Sequence, residues 1–170
     1  MRKLVFDIET RNIFQDVGSS DPADLDISVV GLYDYETNTY KSFTQEEFDQ
    51  MWPYFEKADV FITFTGEHFD IPLLNKYYKK AGRGDLTKIR SLDLLKEIKN
   101  SYGRRMKLGQ VAEGTLGIGK SGNGMEAVVW WQQGEIEKIR KYCLDDVRIT
   151  KDVYEYALKN KKLMFKEGPF

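Results

Sequence analysis

The sequence predicts an α/β sandwich built around a mixed sheet of five strands flanked by helices. Three observations carry this. Short runs rich in β-branched and aromatic residues alternate with segments of helical period. The first three strand-like runs come in succession with no long helical pattern between them, as in an antiparallel meander. A later strand, helix and strand follow one another at the spacing of a parallel crossover. With 170 residues, 41% of them hydrophobic, the chain suits one domain with a substantial core over residues 1–170.

The first strand is Leu4-Val5-Phe6-Asp7-Ile8-Glu9-Thr10, an apolar run that delivers two acids one residue apart. Residues i and i+2 of a strand share a face, so Asp7 and Glu9 project together. Adjacent carboxylates repel, and without a cation one is forced towards its neutral form. The pair therefore has the character of half a metal site, and oxygen-only ligation suits Mg2+ or Mn2+. The alternative is a solvated turn after the strand. Residues 11–26, with Gly18, Ser19, Ser20 and Pro22, have the composition of a loop. Ile27–Asp34 predicts a second strand, residues 36–38 a turn, and Thr39–Phe43 a third strand.

Thr44 with Glu47 three positions later forms a capping box, and Phe48, Met51, Trp52 and Phe55 give the helix that follows an apolar face. Residues 59–65 (DVFITFT) predict a buried central strand. Asp70 then opens a helix that tolerates Pro72 in its first turn, where an N–H has no intrahelical use. Asp70 thus stands at a strand-to-helix corner. A loop through Gly82 and Gly84 leads to a short strand at residues 88–90 and a helix carrying Leu92, Leu94, Leu95 and Ile98. Another helix is expected over 108–115, a mobile glycine-rich loop over 117–124, and one long helix or two abutting ones over 135–159. Trp130 and Trp131 are expected to anchor that last helix to the core, with base stacking as the alternative.

Composition narrows the function. There are 26 Lys and Arg against 27 Asp and Glu, a net charge of −1, so any basic surface is local. One cysteine excludes an intramolecular disulfide, and no apolar run approaches the roughly 20 residues that cross a bilayer. With no apolar signal region at the N-terminus, a soluble cytoplasmic protein without membrane contact is expected. The single His68 rules out multi-histidine zinc sites.

Open α/β sheets place their sites at the carboxyl ends of the strands, where Asp7, Glu9 and Asp70 all fall. Tyr142 and Asp146, four apart on the long helix, share a face. They can overlook one site, or Tyr142 can pack on the core edge with Asp146 solvated. FDIET at residues 6–10, GEHFDIPLL at 66–74 and YCLDD at 142–146 resemble, in order, the three motifs of the DEDD superfamily of 3'-5' exonucleases. The Tyr-x3-Asp spacing resembles the DEDDy branch. The same motif style occurs in proofreading domains of family B DNA polymerases, and residues 108–131 look closer to stand-alone prokaryotic members.

The resemblance implies an RNase H-like fold and a metal-dependent 3'-5' exonuclease acting on 3' ends of single-stranded or frayed DNA or RNA, with DNA repair as a setting. It implies that Asp7, Glu9, Asp70 and Asp146 hold two divalent ions, Mg2+ or Mn2+, and that Tyr142 positions the attacking water. Asp146 is preferred over Asp145 because it alone keeps the spacing. Thr10, Thr65, Phe69 and Lys120 are the expected substrate contacts, and Asp93 an acid supporting the site from behind. Thr65 stands where the motif usually has Asn. A structure-specific nuclease using the same metal pair and a non-catalytic nucleic-acid-binding module are the alternatives.

Several signals compete. Residues 114–121 (GTLGIGKS) match a P-loop pattern, but helical residues precede them where a P-loop requires a strand. His68 is expected to be solvated or behind the site, and Cys143 a core residue. Two basic clusters, Lys79, Lys80 and Arg83, and Arg104, Arg105 and Lys107, are expected to flank the site as phosphate contacts or solvated faces.

Overall fold

The computed structural model describes residues 1–119 and 122–167. In chain order its elements are β1 (Lys3–Thr10), α1 (Phe14–Val17), β2 (Ile27–Asp34), β3 (Thr39–Phe43), α2 (Phe48–Glu56) and β4 (Val60–Thr63). They continue as α3 (Asp70–Lys80), β5 (Arg90–Asp93), α4 (Leu94–Tyr102), α5 (Leu108–Leu116), α6 (Gly124–Gln132) and α7 (Ile136–Asn160). The sheet order is β3-β2-β1-β4-β5. β1 to β3 form an antiparallel meander, and β4 and β5 add in parallel on the other side of β1. This is the mixed five-stranded α/β fold that the element pattern predicts. Among the described residues no helix is long and apolar enough to cross a membrane.

Side-chain parity on β1 divides the core. Leu4, Phe6 and Ile8 pack with α2 and α3, the Phe6 ring edge-on to Phe55 at 5.0 Å and Phe61 at 5.3 Å. Val5 faces the other way, onto α4, α5 and α7. Asp7 and Glu9 share the parity of Val5, so they point to the face that α7 crosses. That helix lies close because Gly31, paired with Asp7 across the strands, has no side chain. A Cβ there would stand 3.0 Å from Cys143 Sγ and 3.2 Å from Val147 Cγ2.

Three elements depart from expectation. Residues 11–26 are not all loop: α1 and a 3-10 turn at Pro22–Asp24 form within them, the turn capped by Asp21, which accepts from Ala23 N–H at 2.9 Å. The fifth strand begins at Arg90, two residues later than expected, because Asp85 caps a 3-10 turn at Leu86–Lys88 first. Leu92 thus belongs to a strand in parallel register with β4, Ile62 opposite Leu92 and Thr63 opposite Asp93. Trp130 and Trp131 lie inside a helix of their own, α6, which begins at the end of the expected glycine-rich loop. Its start is an Asn123/Glu126 capping box. Of the two options for the last segment, one long helix or two abutting ones, α7 is the first, a continuous helix of 25 residues.

Candidate active site

Three segments converge at the carboxyl end of the sheet. β1 supplies Asp7 and Glu9, and a bulge between Glu9 and Thr10 ends its regular pairing with β2. Asp70 is the first residue of α3, reached from β4 through a tight corner. Gly66 makes that corner possible, since a Cβ on it would collide with the Thr63 side chain at 2.2–2.6 Å. Its N–H instead bonds Thr63 Oγ1 at 3.1 Å. From α7, one turn apart, come Tyr142 and Asp146.

All five line one cleft of 530 Å³, together with Thr10, Thr65 and Phe69. Their exposures are small: Glu9 6%, Asp70 2%, Tyr142 3% and Asp146 4%. The alternative in which Tyr142 packs on the core edge with Asp146 solvated is thereby set aside. Lys120 lies outside the described residues. Asp145 is partly exposed and pairs with Arg148 at 3.7 Å, away from the cleft.

Burial, with the charge of nearby Asp93, pushes the Asp70 carboxyl up to about 7. The Thr65 hydroxyl, at 3.4 Å, and the Ile8 backbone N–H donate to it and act in the opposite direction. Burial raises Asp93 as well. Its carboxylate is committed to backbone donors: Leu95 N–H at 3.0 Å and Lys96 N–H at 3.4 Å, which cap α4, and Glu67 N–H at 3.2 Å. It thereby ties the Gly66–Asp70 corner to α4 and stands behind Asp70 without lining the cleft. The donor set fits a hard divalent ion. Four carboxylates, three of them almost wholly buried, present only oxygen, and a cation among them reverses the cost that raises Asp70.

A model of the RNase H superfamily matches residues 4–158. The chain belongs to the RNase H superfamily. Its sheet order and flanking helices are those of a superfamily member, and a solved structure agrees. The family B DNA polymerase from the hyperthermophilic archaeon Pyrobaculum calidifontis is similar over 93% of this chain, with a TM-score of 0.70 at 21% identity. The chain spans 24% of that polymerase, so the likeness is one of fold. Comparison with curated protein sequences gives no match.

The RNase H superfamily member departs from expectation around its acids. Cys143 is fully buried, yet it is not remote. Its thiol donates to the Asp7 carbonyl at 3.3 Å and lies 3.9 Å from Asp7 Oδ2, and ligand atoms of Asp7, Glu9 and Cys143 fall within 4.8 Å of one another. Burial and the charges of Asp7, Glu9 and Asp146 push that thiol well above its ordinary value, so it stays protonated.

The basic clusters separate. Arg105 and Lys107 line a second cleft against the acids. Lys79 and Lys80 end α3, some nine residues from Asp70, and Lys79 and Arg83 pair with Asp85 and Glu56. The P-loop match fails on context: Gly114 to Leu116 complete α5, and Gly117 is its left-handed C-cap. His68 is exposed, as a solvated histidine should be.

Sequence reasoning missed Phe14, Asn123 and Met125, which all line the first cleft. Phe14 stands edge-on to Phe69 at 6.3 Å, giving the rim an aromatic pair. Only Asn123 had a legible signal, its capping box with Glu126. α6 is further held by Trp131, on which the Arg11 guanidinium stacks at 4.1 Å, and by Trp130 against Tyr142 at 5.8 Å.

Proposed function

We propose that the chain is a metal-dependent 3'-5' exonuclease of the DEDDy type, hydrolysing phosphodiester bonds at 3' ends of single-stranded or frayed DNA or RNA. The observation that carries this reading is the convergence of Asp7, Glu9, Asp70, Tyr142 and Asp146, from three distant segments, on one cleft. Membership of the RNase H superfamily supports nuclease activity in general. The DEDD-like motifs supply the finer reading, polarity included.

In this proposal Asp7, Glu9, Asp70 and Asp146 hold two divalent ions, Mg2+ or Mn2+. When bound, such a pair supplies Lewis acidity for the attacking water and charge stabilisation for the leaving 3' oxygen. The carboxylates fix where that charge sits and neutralise most of it, leaving room for one phosphate. Tyr142 orients the water through its hydroxyl. Its buried position suits a hydroxyl that orients the water rather than one that takes up a proton. Thr10, Thr65 and Phe69 contact the terminal nucleotide, Lys120 a substrate phosphate, and Asp93 holds Asp70 in place through the corner. Water adds at phosphorus and gives up a proton, the bond to the 3' oxygen breaks, that oxygen takes up a proton to become the new 3'-hydroxyl, and a nucleoside 5'-monophosphate leaves.

The test is digestion of 5'-labelled single-stranded DNA and RNA in Mg2+, Mn2+ or EDTA, with Asp7→Ala and Tyr142→Phe beside the wild type. A metal-dependent ladder shortened from the 3' end is expected, abolished in Asp7→Ala and slowed about 10- to 100-fold in kcat in Tyr142→Phe. Binding of either polymer without cleavage in any metal sinks the proposal in favour of a non-catalytic binding module.

A further inference from the structure

A second cleft, of 910 Å³, opens beside the first and shares Asp7, Thr65, Asn123 and Asp146 with it. Their other walls differ in kind. The first presents Phe14, Phe69, Ile13 and Met125 beside the acids. The second also has apolar lining, Phe64, Leu95 and Met106, but adds two cations that the first lacks, Arg105 and Lys107, from the stretch that leads into α5. Arg105 and Lys107 are exposed, and among the described residues neither forms an ion pair. Several cations elsewhere are committed, Lys79 to Asp85, Arg83 to Glu56, Lys96 to Glu67 and Arg140 to Glu47, and what sets Arg105 and Lys107 apart is that they share a cleft with Asp7 and Asp146. Glu113, on the wall of the second cleft, is itself neutralised by Lys166.

We infer that the two clefts form one path for a single nucleic-acid strand. The terminal nucleotide occupies the aromatic-lined cleft, and the strand on the 5' side of the scissile bond crosses the second, its phosphates against Arg105 and Lys107. The assignment rests on the nuclease reading above and follows from what each part of a strand offers. A terminal nucleotide carries one base, which gains most from ring and apolar surface. The continuing strand carries a negative charge at every nucleotide, which cations along its course attract. Arg105 and Lys107 stand on the wall shared with Asp7 and Asp146, and because they meet phosphates they hold the strand without regard to sequence.

The experiment measures anisotropy of a fluorescent 16-nucleotide strand, with phosphorothioate linkages at its 3' end to resist hydrolysis, in Mg2+ at several salt concentrations. Arg105→Glu/Lys107→Glu is expected to weaken binding about tenfold or more at low salt. Arg105→Gln/Lys107→Gln should lower the slope of log K against log salt by about 1.4, the single-strand value for two phosphate contacts. Lys79→Glu/Lys80→Glu, altered at the far end of α3, should bind as the wild type does. In turnover, KM for an ordinary 16-nucleotide strand should rise several times more than KM for a dinucleotide. Wild-type affinity in the charge-reversed variant, an equal KM change on both lengths, or no binding by the wild type would each overturn the path. Strand binding that depends on Arg105 and Lys107, with no hydrolysis of DNA or RNA, would remove the nuclease reading and leave the path standing.

Discussion

Asp70 concentrates the electrostatic problem of the site. Its carboxyl is buried, lies near Asp93 and is pushed up to about 7. Below about pH 4 the acid is neutral in folded and unfolded chains alike and costs nothing. Between about 4 and about 7 the unfolded chain releases the proton while the folded chain keeps it, so stability is lost as pH rises through that window. In EDTA, Tm should therefore fall from pH 5 to pH 8, and Asp70→Asn should flatten the profile. Added Mg2+ should raise Tm more at pH 8 than at pH 5, because the ion displaces a proton at the lower pH and meets a carboxylate at the higher. Scanning calorimetry at the two pH values, with and without metal, checks this; a metal response that grows as pH falls would contradict it.

The sites of β1 and α7 depend on how closely these two elements approach. Gly31 and Cys143 fill the gap between them, the glycine leaving room for the thiol that leans on Asp7. Gly31→Ala places a methyl 3.0 Å from Cys143 Sγ and 3.2 Å from Val147 Cγ2, so α7 must yield by a few tenths of an ångström. That shift moves Tyr142 and Asp146 relative to Asp7 and Glu9. The expected outcome is a kcat about tenfold or more lower, a higher metal concentration for half-maximal activity, and partial rescue by Cys143→Ala in the same chain. A Gly31→Ala protein of wild-type activity and metal dependence would show that the approach has slack. α6 illustrates a different dependence. Its residues GMEAVVWWQ are apolar nearly all round, so they carry little helical period, and the helix rests instead on the Asn123 cap and the Arg11–Trp131 stack.

Across the molecule, the sheet separates two apolar layers, and Asp7 and Glu9 point to the face opposite the aromatic one. Phe6, Phe55 and Phe61 form edge-on pairs on that aromatic side. Phe6→Ala is expected to cost about 3–5 kcal/mol through lost burial and the cavity left behind. Urea denaturation in EDTA measures it. The part of the population that stays folded should still gain Tm on adding Mg2+, because Asp7 and Glu9 point the other way; loss of that response would mean that the two layers are not independent.

Local chemistry was legible in the residues. Alternation put Asp7 and Glu9 on one face, the spacing of Tyr142 and Asp146 put them on one helical stripe, and the meander and crossover were visible in the order of elements. Period alone sets only which residues share a face, and says nothing of what that face meets. That α7 rather than α2 crosses over Asp7 and Glu9, that a thiol lies against Asp7, and that Arg105 and Lys107 border the site while Lys79 and Lys80 do not, all follow from contacts between residues far apart in the chain. Those contacts are settled by side-chain volume, as at Gly31, where one absent methyl lets a helix carry its acid up to the strand.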